Sequence, residues 1–228
     1  MKESEFDPRD KPAYALLEAA RYVRLPAATL RSWVLGRPYP RASGVARFHP
    51  LIRPPSRQPA VLSFWNLVEA HVLRSLRTEH GVSLRAVRQA LRYAEQHLQI
   101  ERLLLSRELC TEAGRVFLHR YGELIDLSAS GQMAMRRLFE EHLERVEWGE
   151  FPTPIRLYPF VSGTEADEKP IVIDPRIAFG RPIVARKGIS TRAIADRIDA
   201  GESLDDLAAD YDLERDEIET AVVYERAA

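Results

Sequence analysis

Proline and glycine limit the regular elements at the start of this chain to short lengths. Leu25-Pro26 predicts a turn after a short helix over residues 14–22, because proline fixes its own φ and restrains the residue before it. A second helix is predicted over residues 27–35, where apolar residues are spaced to bury one face, and it ends at Gly36. The chain therefore opens with two short helices joined by a tight turn.

A proline-rich stretch then interrupts the helices. Residues 41–60 contain four prolines around residues 45–48, which predicts a short strand and an irregular loop where a wing would lie. Two further helices are predicted over residues 63–78 and 83–98, because each range begins with a serine that can cap the first turn. This first domain, residues 13–100, is therefore predicted to be a winged helix-turn-helix.

Residues 101–161 are predicted to form a middle segment with a hairpin and a helix. The hairpin lies at residues 116–127 and the helix at residues 131–146, and three prolines between residues 152 and 159 keep the following chain extended. The polar stretch 162–169 (SGTEADEK) predicts a linker and a domain boundary.

Residues 170–228 are predicted to form a small C-terminal domain with short strands and three helices. The strands lie at residues 171–173 and 183–184, and the helices at residues 191–200, 203–211 and 214–225. The three helices make a second unit that is similar to a helix-turn-helix. The whole chain is therefore predicted to be mainly α with small β elements, which is the α+β class.

Positive and negative charge are divided between the two halves of the chain. Residues 1–120 carry 20 Lys and Arg against 11 Asp and Glu, a net charge of +9, whereas residues 121–228 carry 13 against 23, a net charge of −10. Thirteen arginines and two acids lie between residues 21 and 92, which is the pattern of a polyanion-binding surface, with a solvated surface as the alternative. Residues 199–225 carry 11 acids and one base, which suits a basic protein partner better than DNA.

The predicted helix over residues 27–35 has the side chains of a DNA-reading helix. Thr29, Arg31 and Ser32 offer hydrogen-bond donors to base edges, and no acid lies beside them. Four arginines before and after this helix are placed to hold phosphates: Arg24, Arg37, Arg41 and Arg47. An ordinary surface helix of a bundle is the alternative. We therefore predict double-stranded operator DNA as a partner.

The sequence shows no pattern of catalysis, of cofactor binding or of membrane insertion. Cys110 is the single cysteine, so no intramolecular disulfide can form, and the six histidines lack the spacing of metal ligands. Without a glycine-rich phosphate loop or a nucleophile elbow, we predict no catalytic residues, no cofactor and no metal. No segment reaches the roughly 18 apolar residues of a membrane span, so we expect a cytoplasmic protein with no membrane partner.

Several short motifs in the first domain resemble the MerR-type winged helix family. They are Leu17-Glu18-Ala19-Ala20, Thr29-Leu30-Arg31 with Trp33, and then Leu62-Ser63-Phe64, Leu67, Leu73, Leu76-Arg77, Gly81, Ser83-Leu84 and Val87-Arg88. The resemblance implies DNA binding through a winged helix-turn-helix. That family's long dimerisation helix has no counterpart after Leu98 and its metal-sensing cysteines are absent, so neither effector sensing nor that mode of dimerisation is implied.

The C-terminal domain resembles a small antitoxin-type domain family. The resemblance lies in Ile173-Asp174-Pro175-Arg176, Phe179-Gly180-Arg181-Pro182, Arg186, Gly188-Ile189-Ser190-Thr191 and Ala200-Gly201-Glu202-Ser203. With the MerR-like half before it, the arrangement is similar to VapB-type antitoxins, which implies binding of a PIN-like ribonuclease toxin and repression of the protein's own operon. Five cations are candidates for toxin contact: Arg176, Arg181, Arg186, Lys187 and Arg192. The alternative is that they lie opposite the acids of the terminal helices.

Three functions remain open from the sequence. The first is an antitoxin and autorepressor that binds DNA through the basic domain and the toxin through the acidic half. The second is a stand-alone MerR-like transcriptional regulator, and the third is an adaptor whose basic half binds an acidic protein. We expect a homodimer, since helix-turn-helix proteins commonly read two half-sites, with its contact surface in residues 103–160 or in the C-terminal domain.

Overall fold

The computed structural model describes residues 7–41, 44–78, 102–105, 143–149, 153–162, 164 and 168–226, together with the helical residues 88, 91, 95 and 96. The predicted hairpin over residues 116–127 lies outside these residues, as do most of the predicted helices over residues 83–98 and 131–146. Within them the protein combines helices with small antiparallel sheets of two or three strands. The predicted α+β class is confirmed.

The described chain starts with a short strand and two helices joined by a turn. Strand β1 is Tyr14–Ala15, helix α1 is Leu16–Tyr22 and helix α2 is Ala27–Leu35. The bounds predicted for α2 are confirmed, and its inner face, Leu30, Trp33 and Val34, is fully buried. Gly36 has a φ of 72°, which most side chains avoid, and it turns the chain out of the helix.

Two hairpins follow α2 and form the wing and a small sheet. Their strands are β2 (Arg37–Arg41), β3 (Gly44–Phe48), β4 (Ser56–Arg57) and β5 (Ala60–Leu62). β2 and β3 pair antiparallel as the wing, whereas β1, β5 and β4 form a three-stranded sheet in that order. The helical start predicted at Tyr14 is wrong, because Tyr14 and Ala15 pair with Leu62 and Val61 of β5, a contact too distant in sequence for local spacing to reveal.

The wing begins earlier in the chain than the sequence predicts. The strand predicted at residues 45–48 pairs with β2, which contains Pro38 and Pro40. Proline has no N–H to donate to a strand ladder, but a two-stranded hairpin leaves one edge of each strand unpaired, so it is tolerated here. The hairpin therefore starts directly after α2, before the proline-rich stretch that predicted an irregular loop.

Helix α3 is Phe64–Thr78, and the predicted serine cap is confirmed. Ser63 Oγ accepts a hydrogen bond from the Asn66 N–H at 3.3 Å, and Asn66 Oδ1 accepts one from the Ser63 N–H at 3.1 Å. This reciprocal pair satisfies two backbone donors at the start of the helix. Buried Leu67 and Leu73 of α3 pack in one core with the buried residues of α1 and α2.

A hairpin from the middle segment joins this first core. Strand β6 is Val146–Trp148, strand β7 is Pro154–Leu157, and the two are antiparallel. The end predicted for the helix over residues 131–146 is wrong, because Val146 pairs with Leu157 in this hairpin. Both side chains are buried in the core of the first domain. The stretch predicted to be extended is thus partly a paired strand, which the sequence analysis missed.

The C-terminal domain has the predicted elements in the predicted order. They are β8 (Ile171–Val172), β9 (Ile183–Val184), α4 (Thr191–Asp199), α5 (Leu204–Tyr211) and α6 (Arg215–Arg226). The side chains of Ser190 and Ser203 cap α4 and α5 by accepting hydrogen bonds from backbone N–H groups. Ile194, Leu207 and Ile218 are fully buried in a second core.

Residues of the C-terminal domain contact the first domain, and one of them, Ile173, belongs to the first core. Leu157 and Ile173 exchange two backbone hydrogen bonds, of 3.1 and 2.8 Å. Tyr14 donates its hydroxyl to the Gly180 carbonyl at 3.0 Å, and both groups are buried. The C-terminal domain is therefore packed on the first domain, while the linker proposed at residues 162–169 stays a prediction.

Candidate nucleic-acid interface

Helix α2 places the predicted DNA-reading residues on its outer side. Arg31 is exposed, whereas Thr29 and Ser32 are half-buried. The Arg31 guanidinium is therefore the most accessible hydrogen-bond donor of the three, and it is the group best suited to reach a base edge.

The wing adds exposed arginines directly after α2. Arg37 and Arg47 are exposed on β2 and β3, and Arg37 is in register with Phe48. The Arg37 guanidinium lies 5.3 Å from the centre of the Phe48 ring, and the Phe48 and Tyr39 rings stack at 4.1 Å between centres. Of Arg41 the structure describes the backbone alone. The ring stack stabilises the wing, and the contact with the Phe48 ring holds the Arg37 guanidinium beside the stack.

Hydrogen bonds hold the residues that directly follow the wing. The N–H groups of Leu51 and Ile52 donate to the Trp33 carbonyl at 2.7 and 3.1 Å. Arg88 Nη2 donates to the His49 carbonyl at 2.7 Å. The residues that follow the wing are therefore fixed in place.

Arg37 is opposite Phe48 and Arg47 is opposite Pro38, so the two arginine side chains leave opposite faces of the hairpin. We call the three exposed arginines of α2 and the wing, taken together, the arginine surface: Arg31, Arg37 and Arg47.

The segment that forms the arginine surface contains no acid. Residues 19–68 hold eight arginines and neither Asp nor Glu. Glu69 follows them but is buried, and it accepts hydrogen bonds from Asn66 Nδ2 at 2.9 Å and Arg102 Nε at 3.1 Å. Burial raises the pKa of Glu69, and the two donors act in the opposite direction. A phosphate that approaches the arginine surface therefore meets no carboxylate from residues 19–68.

Arg24 lies against the C-terminal domain. It is half-buried, and its guanidinium lies 4.9 Å from the centre of the Tyr224 ring in α6. Burial also lowers the pKa of Arg24. This position does not suit the phosphate contact predicted from the sequence, so we leave Arg24 out of the proposed DNA contacts.

Each of the five cations predicted to contact a toxin is paired with an acid of this chain. The pairs are Arg176–Asp174 (3.0 Å), Arg181–Glu18, Arg186–Glu217 (2.7 Å), Lys187–Asp212 and Arg192–Asp196 (2.9 Å). The predicted alternative, pairing with acids of the terminal helices, describes Arg186 and Lys187, whose hydrogen bonds lower the pKa of Glu217 and of Asp212. Arg181 instead reaches Glu18 on α1, in the first domain.

The sequence predicted neither the side chains that join the two domains nor the exposure of one apolar residue. Tyr14 and Tyr224 have the aromatic character of core residues, and nothing local shows that each crosses to the other domain. Phe179 is 93% exposed, the highest value among the large apolar side chains described as exposed. The glycine directly after Phe179 was the available sequence signal, since it indicates a turn and a turn can present a side chain to solvent.

The described residues show neither a cluster of metal ligands nor a membrane-spanning helix. In that part of the chain, no group of three or more His, Cys, Asp or Glu side chains is arranged to hold a metal ion. None of the described helices combines the length and the apolar character needed to cross a bilayer.

Two family models match separate parts of the chain. Residues 12–91 match a family described as "Putative DNA-binding HTH domain", and residues 171–224 match one described as "Protein of unknown function (DUF433)". The first match covers α1, α2, the wing and α3, so the basic domain is similar to this putative DNA-binding family. The finer resemblance to the MerR-type family stays a prediction.

Over most of its length the chain is similar to proteins of Mycobacterium tuberculosis. It is 28% identical to "Putative antitoxin VapB45" over 232 residues, which cover 93% of each chain. It is 25% identical to "Uncharacterized protein Rv2308", over 94% of this chain and 90% of that one. The crystal structure of Rv2018 from the same organism shares the fold, with a TM-score of 0.67 and 24% identity over 93% of this chain and 98% of that one.

Proposed function

We propose that this protein is an antitoxin that represses its own operon by binding DNA and that inhibits a PIN-like ribonuclease toxin. The arginine surface carries the DNA-binding part, because the acid-free segment 19–68 builds both α2 and the wing. The match of residues 12–91 to a DNA-binding family supports the same part. The 28% identity to a protein named as an antitoxin supports the toxin-binding part.

In this proposal α2 enters the major groove of operator DNA. A reading helix needs an exposed donor and no carboxylate facing the DNA, and Arg31 meets both conditions. Thr29 and Ser32, which are half-buried, contact the DNA at shorter reach. The wing arginines bind phosphates, which adds affinity without base discrimination: Arg37, Arg41 and Arg47.

Replacing Arg31 tests the role of α2. We expect Arg31→Ala to weaken binding to the DNA upstream of the gene by about 1–3 kcal/mol, because a base-edge contact is lost. Fluorescence anisotropy with a labelled duplex measures the affinity. Wild-type affinity should also fall steeply between about 50 and 200 mM salt, as expected when phosphate contacts release counterions.

Arg192→Ala is the matched control for this test. Arg192 is also an exposed helical arginine, but it lies on α4 of the acidic domain and pairs with Asp196. Its replacement should leave operator affinity unchanged. A folded Arg31→Ala variant with wild-type affinity would remove α2 from the interface. Binding that is insensitive to salt would instead favour the acidic-protein adaptor.

The toxin-binding part is tested with the product of the reading frame adjacent to this gene. We expect co-expression to yield a stable complex, and the chain to suppress RNA cleavage by that product. Since a PIN-like toxin holds its metal with carboxylates, the chain would block it by covering that centre or by placing a cation near it. Failure of the two purified proteins to associate would contradict this part of the proposal.

A stand-alone regulator without a toxin is the second candidate. It is favoured by one observation: all five cations proposed for toxin contact already have acidic partners within the chain. This candidate shares the operator binding described above. The two candidates therefore differ in the co-expression experiment, where a stand-alone regulator forms no complex.

We also propose that the protein acts as a homodimer. A helix-turn-helix dimer places two reading helices on two half-sites and gains affinity from both. Light scattering of the full chain should therefore give twice the mass of one 26.0 kDa chain. A monomer mass at the concentrations used for operator binding would contradict the proposal.

A further inference from the structure

The loop between β8 and β9 presents an aromatic ring to solvent. Phe179 is 93% exposed and the neighbouring Ile177 is 41% exposed, although both residue types are usually buried. Exposed apolar side chains scattered singly are common, but aromatic residues, Phe included, are enriched in protein interfaces, which makes this ring a candidate anchor.

The backbone of this loop is held in an unfavourable conformation. Ala178, Phe179 and Gly180 have φ values of 47°, 55° and 75°, which lie in the left-handed region. Alanine and phenylalanine rarely adopt it, because the Cβ atom crowds the carbonyl oxygen. Such strain persists where surrounding contacts impose it, and it is concentrated at binding and active sites.

Contacts at both ends of the loop impose this conformation. At its start, the buried Asp174 accepts hydrogen bonds from the Arg176 N–H at 2.9 Å and from Arg176 Nη2 at 3.0 Å. At its end, the Gly180 carbonyl accepts the Tyr14 hydroxyl, and Arg181 pairs with Glu18 on α1. The ring between them is thus presented by a rigid frame, which lowers the entropy cost of binding.

Cations flank the exposed ring on both sides along the chain. The Arg176 side chain is 59% exposed while its partner Asp174 is fully buried, and Arg181 is 41% exposed against 25% for Glu18. The surface beside Phe179 therefore presents guanidinium groups more than it presents carboxylates. A protein that covers this loop would match it with acidic side chains around an apolar pocket.

We propose that Phe179 is the anchor by which this chain holds its toxin partner, entering an apolar pocket whose rim carries carboxylates. This inference rests on the proposed function, because it locates the contact with the same partner. A second copy of the chain is a less suitable partner. The site it would offer to the ring is an apolar groove of about 720 Å³ lined by Leu17, Leu25 and Pro26, and this groove adjoins the start of α2. A copy seated there would obstruct the approach of DNA to α2.

The test uses the full chain and the purified product of the adjacent reading frame. Phe179→Asn removes the ring but keeps a residue that adopts left-handed backbone readily. We expect it to weaken the complex at least about 30-fold, as is typical of an aromatic hot spot, with operator affinity unchanged. Biolayer interferometry measures the first affinity, and thermal unfolding shows that the variant is folded.

Two further variants complete the design. Val45→Asn is the matched control, because Val45 is 80% exposed but lies on the wing, and it should leave the affinity for the adjacent product unchanged. Phe179→Leu keeps an apolar side chain and should give an intermediate loss. If Phe179→Asn fails to fold, a wild-type affinity of the folded Phe179→Leu variant overturns the inference.

The outcomes separate this inference from the proposed function. If the wild-type chain binds the adjacent product and Phe179→Asn binds it within about twofold, Phe179 is not the anchor and the antitoxin function stands. If the wild-type chain itself does not bind, the antitoxin function and the anchor both fall. If Phe179→Asn instead turns a dimer into a monomer and leaves the complex intact, the ring contacts a second copy and the toxin assignment is overturned.

Discussion

Asp174 illustrates how a single buried carboxylate organises a loop at the junction of the two domains. Its side chain is fully buried, and it accepts hydrogen bonds from Arg156 Nε at 2.8 Å and from Arg176 Nε at 3.1 Å. Burial raises the pKa of Asp174, but the hydrogen bonds from the two arginines outweigh burial and hold it below the ordinary value of 3.8. The ionised form is thus favoured by folding.

This pKa shift predicts a loss of stability in acid. A carboxyl group with a lowered pKa in the folded protein stabilises it above the unfolded-state pKa, and the contribution is lost as the pH falls through and below about 3.8. Asp174→Asn should remove part of that pH dependence and lower the free energy of unfolding near pH 7 by about 3 kcal/mol. Urea unfolding at a series of pH values measures both effects.

Asp205→Asn is the control for the acid experiment. Asp205 is exposed on α5 and pairs with Arg215 at 2.9 Å, so its replacement should cost less than about 1 kcal/mol near pH 7. Equal effects of the two substitutions would show that burial of Asp174 has no energetic consequence.

Gly180 is the second residue on which the domain junction depends. Its φ is 75°, and a Cβ atom at this position would overlap the hydroxyl oxygen of Tyr14. We expect Gly180→Ala to break the Tyr14–Gly180 hydrogen bond and to lower the free energy of unfolding by about 2–4 kcal/mol, which urea unfolding measures.

Gly188→Ala separates backbone strain from overlap. Gly188 has a φ of 72°, but among the described residues, its two chain neighbours aside, no atom would lie within 4 Å of a Cβ at this position. Its replacement should therefore cost about 1 kcal/mol of backbone strain alone. If the two alanine variants lose the same stability, the Tyr14 contact contributes nothing measurable.

At the level of elements, the helices were predicted better than the strands. The bounds of α2 follow from a proline before it and a glycine after it, and α4 and α5 each start at a serine cap. These signals are local, so one stretch of sequence contains them. The partners of β1 and β6 lie far along the chain, and periodicity within a short segment cannot identify them.

The connection between α2 and the wing gives a prediction for DNA binding. Gly36 has a φ of 72°, and a Cβ atom there would overlap the Phe48 carbonyl oxygen at the end of β3. Gly36→Ala should therefore displace the wing from α2 and weaken operator binding at least about tenfold, which corresponds to 1.4 kcal/mol. Fluorescence anisotropy of the folded variant measures this loss.

Gly44→Ala is the matched control on the same hairpin. Gly44 also has a positive φ, of 121°, but in the part of the chain that the structure describes, and apart from its chain neighbours, no atom would lie within 4 Å of a Cβ there. This variant should share the local backbone strain while keeping the wing attached to α2, and operator affinity should change less than threefold, or about 0.6 kcal/mol. A loss as large as that of Gly36→Ala would mean that the junction with α2 is unimportant.

In the whole molecule, α1 is part of the first domain and also packs against the C-terminal domain. Tyr224 of α6 donates its hydroxyl to the Tyr22 carbonyl at 3.1 Å, and Arg21 pairs with Glu225 at 3.3 Å. Tyr22 in turn donates to Glu18 at 2.8 Å. Burial, and to a smaller extent this hydrogen bond, raises the pKa of Tyr22 to about 12. Helix α1, which packs beside α2 in the first domain, is thus also the helix on which the C-terminal domain packs.

Separating the domains tests the division of charge. We expect a fragment of residues 1–161 to keep salt-sensitive operator binding, more weakly if dimer contacts are lost, because it retains the arginine surface. Its melting temperature should be lower by at least about 5 °C, since Tyr14 and Tyr22 lose their cover. Residues 162–228 should not bind DNA, because the acids of α5 and α6 repel phosphate. Anisotropy and thermal unfolding of both fragments measure these outcomes.

The opposite pattern would overturn the assignment of the two domains. If residues 162–228 bound operator DNA and residues 1–161 did not, the charge argument would be wrong. If residues 1–161 melted at the temperature of the full chain, the contacts at Tyr14 and Tyr22 would contribute no stability.

The sequence by itself determined the features that depend on neighbouring residues. The fold class, the bounds of α2, the serine caps and the order of the C-terminal elements all follow from capping, periodicity and proline or glycine breaks. The acid-free run of arginines at residues 19–68 is likewise a property of sequence, because charge is counted along the chain.

Only the tertiary structure decided which charges remain on the surface. Arg24 and Arg31 look alike in the sequence, but Arg24 lies against the Tyr224 ring while Arg31 is exposed. Arg181 finds its acid on α1, and the contacts at both ends of its loop leave Phe179 in solvent. Burial and pairing depend on elements that meet across more than a hundred residues of chain, and no local pattern encodes that meeting.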